Sequence, residues 1–230
     1  TNPVDGTIIM SNLCSEILQP QEASELNADL SYKEVGTDIS CNLGSMNMVN
    51  LMKAPDFGQS IEYAVRALTT VTDSESISEV PTVDKGNKLY HTIGLGAMGL
   101  HTVLALNGID YDSKEALEFV DAFFLAMNYY SLKASNQIAK EKGEVFHNWE
   151  KSTYADGTYF NQYLEDNFTF ASKKVEKLFS HIALPTVKDW NELKNKVMTD
   201  GLYHRNRLAT APNGSISYIN ETSASLHPIT

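Results

Sequence analysis

A long amphipathic stretch in the middle of the chain constrains the fold more than any other feature. Ser113 is a candidate N-cap with acidic residues in or near the first turn, and Gly143 follows Lys140 and Lys142 as a stop signal. Apolar residues recur between these limits at helical spacing. We therefore predict one long helix here, and shorter helical and strand-like stretches alternate around it.

Shorter patterns on either side of this helix predict an α/β protein. Apolar residues at helical spacing predict helices over 57–72, 100–106, 149–165, 171–180 and 187–200. Strand-like runs cover 41–51 and 202–211, and residues 76–86 have the composition of a loop. Since no internal repeat, low-complexity segment or linker interrupts the chain, we predict a single α/β unit over residues 1–230.

Charge and composition exclude several classes of function. The net charge of −11 argues against a nucleic-acid binder, because neutralising phosphates requires a basic patch. No apolar run approaches the roughly 20 residues that span a bilayer, so we expect no membrane association. Two cysteines cannot form a disulfide framework, which favours a reducing cytoplasm. The six histidines have no ligand spacing with either cysteine, so we predict no metal site.

The stretch SNLCSEI, residues 11–17, carries chemically useful side chains at alternate positions. In extended backbone, Asn12, Cys14 and Glu16 would point to one face. An amide, a thiol and a carboxylate on one face could hold a polar substrate, react with it and move a proton. The same alternation is typical of a half-buried strand with an inert cysteine, and spacing alone favours that second interpretation.

A glycine-rich motif, GLGAMG at residues 94–99, fits the dinucleotide-binding fingerprint. The acidic residue of that fingerprint lies about 20 residues further on. Here Asp110 follows Gly99 by only 11 residues. Glycines at a close crossing of a strand and a helix explain the motif as well. We therefore predict a packing role for these glycines rather than dinucleotide binding.

A second loop, residues 212–217, has two interpretations. Gly214 allows a tight turn, and Ser215 and Ser217 offer hydroxyl groups beside free backbone N–H groups. If a helix begins here, those N–H groups and the helix dipole form an anion site. The alternative is an ordinary turn with serine caps, which the residues alone favour.

Several segments together resemble the catalytic large subunit of class I ribonucleotide reductase, most closely the class Ib subgroup. They are NPVDG (2–6), MSNLCSEI (10–17), DISCNLGS (38–45), APNGSISYIN (211–220) and HPI (227–229). The resemblance covers essentially all 230 residues, but only part of such a subunit. It implies a ten-stranded α/β barrel, to which this chain would supply the finger loop and the first part of the second half-barrel.

The resemblance also implies catalytic roles. Cys14 would carry a thiyl radical that abstracts the 3′ hydrogen of the ribose, and Glu16 would take the 3′-hydroxyl proton. Asn12 would hydrogen-bond the sugar. Cys41 would be one of two thiols that reduce the 2′ position and become a disulfide, and its partner would lie upstream of Thr1. We expect the two sulfurs of this chain to lie close together, near residues 212–217.

Two groups of residues would bind the substrate by the same resemblance. The finger loop would contribute Asn12, Leu13, Cys14, Ser15 and Glu16. A phosphate-binding loop would contribute Pro212, Asn213, Gly214, Ser215 and Ile216. The family usually has threonine at the position of Asn213, whose amide can still form hydrogen bonds.

The implied partners lie outside the chain. No cofactor is expected on the chain itself. A dimetal small subunit would supply the radical, a thioredoxin- or glutaredoxin-like protein would supply reducing equivalents, and a ribonucleoside diphosphate would be the substrate. The chain has two cysteines where the chemistry requires three in the pocket. We therefore expect the isolated chain to be inactive until it assembles with the remaining parts of the large subunit.

Two alternatives stay open. A thiol oxidoreductase could use Cys14 and Cys41, but these lie 27 residues apart and form no C-x-x-C motif. The chain could instead be a non-catalytic piece, either from a split gene or from an expressed fragment, whose role is to assemble with the rest of the barrel.

Overall fold

The computed structural model describes residue 8, residues 11–12 and residues 14–229. The strands are β1 (Glu25–Leu26), β2 (Tyr32–Glu34), β3 (Asn42–Asn47) and β4 (Ile93–Met98). The helices are α1 (Met48–Leu51), α2 (Phe57–Ser74), α3 (Pro81–Tyr90), α4 (Leu100–Leu106), α5 (Lys114–Lys142), α6 (Lys173–Leu178), α7 (Val187–Asp200) and α8 (Gly214–Ile219). Two short 3₁₀ helices span Trp149–Lys151 and Thr158–Tyr163. This mixture of helices and strands confirms the predicted α/β class.

The sheet that matters for the site is parallel. β3 pairs with β4 in register, from Asn42 opposite Ile93 to Asn47 opposite Met98. A third parallel segment follows on the other side of β4, where Leu208 forms a bridge with Leu95. Since parallel strands run in the same direction, the residues that follow β3, β4 and this third segment meet at one edge of the sheet.

The long helix α5 confirms the strongest prediction from the sequence. It begins after Ser113, whose hydroxyl oxygen accepts the N–H of Ala116 at 3.1 Å, and it ends at Gly143, which has a left-handed φ of 66°. Helix α5 packs against α2, and the buried rings of Phe57 and Phe123 meet edge to face with their centroids 5.6 Å apart. This helix pair forms the main hydrophobic core beneath one face of the sheet.

Four of the predicted elements differ from the structure. The stretch 41–51, predicted as a strand, is a strand only as far as Asn47 and continues as α1, and the stretch 202–211, predicted as a strand, forms a single bridge at Leu208. The stretch 76–86, predicted as a loop, contains the start of α3; Pro81 is its first residue, where a missing N–H costs nothing. The stretch 149–165, predicted as a helix, forms only the two 3₁₀ helices. Gly157 separates them with a φ of 77°, which an α-helix does not accommodate. Within the described part of the chain, no helix combines the length and the apolar character needed to cross a membrane.

Candidate functional site

The segment that carries Cys14 forms a tight turn rather than the extended strand predicted from alternation. The N–H of Ser15 donates to the carbonyl oxygen of Asn12 at 3.0 Å, and Ser15 has a left-handed φ of 61°. The side-chain Oδ1 of Asn12 accepts the N–H of Ile17 at 3.0 Å. The strand prediction is wrong because the Asn12 side chain captures a backbone N–H that a strand would use. Leu13, predicted to contact substrate, lies outside the described residues.

Glu16 lies near enough to Cys41 for its charge to act on the thiol, although the two residues are 25 positions apart in the sequence. Burial raises the pKa of Cys41, and the negative charge of Glu16 adds to this, so that the pKa reaches about 12. Cys41 therefore stays protonated at neutral pH. The Oε2 atom of Glu16 is buried and has no hydrogen-bond partner within the described part of the chain. Cys14 is exposed and Cys41 is partly buried, and both are free thiols.

One glycine of the GLGAMG motif leaves room beside Cys41, and a second allows the third parallel segment to approach closely. A Cβ atom on Gly94 would lie 2.8 Å from the Sγ of Cys41 and 3.1 Å from the Cβ of Ala209. A Cβ atom on Gly96 would clash with the carbonyl oxygen of Ala209. The motif therefore serves close packing, as predicted, although the neighbours of these two glycines are Cys41, Leu43 and the third parallel segment rather than a helix.

Gln19 connects the turn to the sheet, and the sequence did not single it out. Its Nε2 donates to the carbonyl oxygen of Ser40 at 3.0 Å, and its Oε1 accepts the hydroxyl of Thr92 at 3.2 Å. The polar composition of residues 19–38, with few apolar anchors, predicts a surface excursion, but Gln19 is only 2% exposed. The residues that follow it do form an exposed hairpin from β1 and β2.

The loop 212–217 lies at the edge where the parallel strands end. The Nδ2 of Asn213 donates to the Oγ of Ser45 on β3 at 2.9 Å, and its Oδ1 accepts the N–H of Ser225 at 2.7 Å. The amide of Asn213 therefore holds the loop against the sheet. Pro212 and the first residues of α8 are exposed at this edge, namely Gly214, Ser215 and Ile216.

Cys41 directly precedes strand β3, and the loop is hydrogen-bonded to the same strand. Ser45, the partner of Asn213, follows Cys41 by four residues, which corresponds to roughly 13 Å along a strand. The structure thus brings Glu16 to Cys41 and places the loop further along the same strand. The approach of the Cys14 sulfur to Cys41 stays a prediction.

Comparison with known proteins identifies a consistent set of relatives. The family model described as ribonucleotide reductase, barrel domain, matches residues 1–230. The ribonucleoside-diphosphate reductase subunit alpha of Bacillus subtilis is 45% identical over 219 residues, which cover 95% of this chain and 31% of the relative. The subunit of the same name from Mycoplasma pneumoniae is 42% identical over 234 residues, which cover 99% and 32%. The chain therefore spans less than a third of the length of these curated relatives.

A more distant relative has the same name. The ribonucleoside-diphosphate reductase subunit alpha of Treponema pallidum is 33% identical over 240 residues, which cover 97% of this chain and 25% of the relative. The similarity therefore extends over nearly the whole chain at several levels of divergence.

Proposed function

The chain belongs to the barrel-domain family of ribonucleotide reductases, and we propose that it forms part of the catalytic site of a ribonucleoside-diphosphate reductase. The substrate is a ribonucleoside diphosphate, and the product is the 2′-deoxyribonucleotide. The buried Oε2 of Glu16, which has no hydrogen-bond partner among the described residues, carries this proposal together with the protonated thiol of Cys41. A buried acceptor without a partner lowers stability, and a substrate hydroxyl would supply the missing donor.

The turn would act first, at C3′ of the ribose. A thiyl radical on Cys14 takes the hydrogen atom from C3′ and becomes a thiol, which leaves the radical on the sugar. Glu16 accepts the proton of the 3′-hydroxyl group. Because the Oδ1 of Asn12 is engaged with Ile17, its Nδ2 is the group that would donate to a sugar oxygen.

Cys41 would then act at C2′. The 2′-hydroxyl leaves as water, two thiols deliver the reducing hydrogens, and those two thiols become a disulfide. The thiol of Cys14 then returns the hydrogen atom to C3′, which removes the radical from the sugar and restores it on Cys14. A pKa of about 12 supports this role, because it keeps Cys41 in the protonated form that reduction consumes. The second thiol comes from another part of the large subunit. A dimetal small subunit supplies the radical to Cys14, and a thioredoxin- or glutaredoxin-like protein restores the thiols.

The substrate phosphates would lie at the loop 212–217. The first turn of α8 has no side-chain cap within the described residues, so the backbone N–H groups of Gly214, Ser215 and Ile216 are available to phosphate oxygens. Asn213 supports this arrangement by holding the loop rather than by binding the phosphates.

The test uses the complete large subunit that contains this chain, together with the small subunit and a reductant. Release of the 3′ hydrogen and formation of the deoxynucleotide are measured in parallel. We expect Cys14→Ser to abolish both, whereas Cys41→Ser retains cleavage of the 3′ C–H bond and blocks clean reduction. Loss of the proton acceptor in Glu16→Gln lowers turnover by about 10²- to 10⁴-fold.

A matched control is Glu34→Gln, which removes an exposed carboxylate from β2. We expect this variant to keep full activity. Full activity of Cys14→Ser, or an equal loss of activity in Glu34→Gln and Glu16→Gln, would refute the proposed roles.

A further inference from the structure

We propose that Gln19 is a positioning residue. It holds the reducing thiol of Cys41 at a fixed position relative to the turn that carries Cys14 and Glu16. This inference rests on the function proposed above. It concerns how two reactive groups from separate segments keep their relative placement while they act on neighbouring carbons of one ribose.

Both the nitrogen and the oxygen of the Gln19 side-chain amide form hydrogen bonds. Its Nε2 donates to the carbonyl oxygen of Ser40 at 3.0 Å, and this carbonyl belongs to the peptide bond that joins Ser40 to Cys41. Its Oε1 accepts the hydroxyl of Thr92 at 3.2 Å. Gln19 and Thr92 are 2% and 1% exposed, so water does not compete for these bonds.

The two hydrogen bonds of Gln19 attach it to both segments that flank Cys41, the one that leads into β3 and the one that leads into β4. Thr92 comes two residues before Gly94, the glycine whose missing side chain leaves room for the Sγ of Cys41. Gln19 follows Glu16 by three residues, and Glu16 is close enough to raise the pKa of Cys41. A single side chain therefore links the segment of the proton acceptor to both strands that surround the thiol.

The peptide before Cys41 is fixed from its other side as well. The hydroxyl of Ser40 donates to the Oδ1 of Asn87 at 3.1 Å, and the Nδ2 of Asn87 donates to the carbonyl oxygen of Thr72 at 2.9 Å. These residues are buried. Gln19 therefore completes a satisfied polar network that extends from the turn to α3 and α2, and such networks rigidify the groups they contain.

Apolar packing alone would not explain a glutamine at this position. A leucine would fill a similar volume without the cost of desolvating an amide. Hydrogen bonds are directional, so the amide fixes a distance and an angle that packing would leave adjustable. Reacting groups need that precision, because a displacement of about 1 Å can lower a rate by about 100-fold.

The test measures the ratio of 3′-tritium released to water to deoxynucleotide formed, in the complete large subunit with its small subunit and reductant. In Gln19→Leu, which removes both bonds, we expect cleavage of the 3′ C–H bond to continue while deoxynucleotide formation falls by about 10- to 100-fold. The ratio therefore rises by the same factor. Thr92→Val removes only the donor to Oε1, and we expect a smaller rise.

Two controls keep the result specific. Gln21→Leu removes a glutamine from the same segment, whose Nε2 donates at 2.8 Å to the exposed Asp38, and we expect no change in the ratio. Circular dichroism and a thermal melt confirm that each variant is folded. If Gln19→Leu does not fold, Thr92→Val alone decides the question.

Several results would overturn the inference. They are an unchanged ratio in folded Gln19→Leu, an unchanged ratio in Thr92→Val, and an equal loss of 3′ cleavage and of product in either variant. Failure of the proposed function has a different signature, because Cys14→Ser would then still cleave the 3′ C–H bond whatever residue occupies position 19.

Discussion

One face of the β3–β4 sheet is covered by α2, which packs in turn against α5, whereas the opposite face is narrow and partly open. On the helix side, Leu95 and Ala97 are buried, and Gly44 lies against Leu68 of α2. On the other side, Gly94 and Gly96 contribute no side chain and Leu43 is 45% exposed. One face of these two strands therefore packs against the core and contributes to stability, and the other face carries the reactive groups.

The polar groups divide in the same way. Asn42 on β3 donates to the hydroxyl of Thr72 at 2.9 Å, so the helix side closes its own hydrogen bonds. The site leaves the Oε2 of Glu16 without a partner in the described residues. We therefore expect the largest losses in the free energy of unfolding from substitutions on the helix side, and changes in reactivity from substitutions near Cys41.

The largest expected effect lies in the helix core. Phe123→Ala removes a fully buried ring that contacts Phe57, and we expect the free energy of unfolding to fall by about 3–5 kcal/mol. Urea denaturation measures this loss. Leu117→Ala on the same helix is the control, because Leu117 is 66% exposed and its loss should cost less than about 0.5 kcal/mol. Equal effects of the two variants would contradict the contrast between a filled and an open side.

A smaller effect is expected where the open face is narrow. Gly96→Ala would push against the carbonyl oxygen of Ala209, and we expect a loss of about 1–3 kcal/mol in the same measurement. Gly214→Ala is its control, since no described atom lies within 4 Å of a Cβ atom at that position. If Gly96→Ala leaves the free energy of unfolding unchanged, the third parallel segment can move away from the added Cβ atom. The close approach of this segment to β4 would then not be a fixed feature of the open face.

The sequence predicted the parts of this fold that local signals determine. The helix α5 follows from Ser113, Gly143 and the spacing of apolar residues between them. Helix α3 was missed because its buried positions include Gly86 and Asn87, so apolar periodicity does not mark it. The turn at Asn12 was missed because one side-chain hydrogen bond outweighed the alternation.

The site was predictable only in part. The resemblance to a known family singled out Glu16 and Cys41, and the structure brings these two together across 25 residues. It could not single out Gln19, because its partners Ser40 and Thr92 lie 21 and 73 residues away. A local pattern does not reveal that a glutamine is buried when its hydrogen bonds depend on tertiary contacts.

The attachment of the loop 212–217 to β3 should have a moderate effect. Asn213→Ala loses two hydrogen bonds, and we expect unfolding to become easier by about 1–2 kcal/mol. Ser45→Ala removes one of the same bonds, so the two losses should not add, and the double variant should reveal a coupling of about 1 kcal/mol. Ser215→Ala, in the same exposed loop, is the control for stability. Strict additivity of the Asn213 and Ser45 variants would contradict the observed bond.

The smallest expected effect concerns the reactivity of Cys41. With a pKa of about 12, only about one thiol in 10⁴ is ionised at pH 8. Iodoacetamide should therefore label the exposed Cys14 and spare Cys41. Labelling of Cys41 should rise about tenfold for each pH unit, because the thiolate is the nucleophile.

Glu16→Gln then separates the two causes of the raised pKa. Removing the negative charge makes the thiolate of Cys41 less unfavourable, so its pKa falls and its labelling at a fixed pH rises. Burial is the larger cause and remains in the variant, so the pKa of Cys41 stays raised and we expect labelling to increase only in part. Glu34→Gln leaves the rate unchanged, because Glu34 lies on the exposed strand β2. Unchanged or slower labelling of Cys41 in Glu16→Gln would mean that the Glu16 carboxylate does not act on the thiol. The open face of the sheet would then show no electrostatic coupling between these two residues.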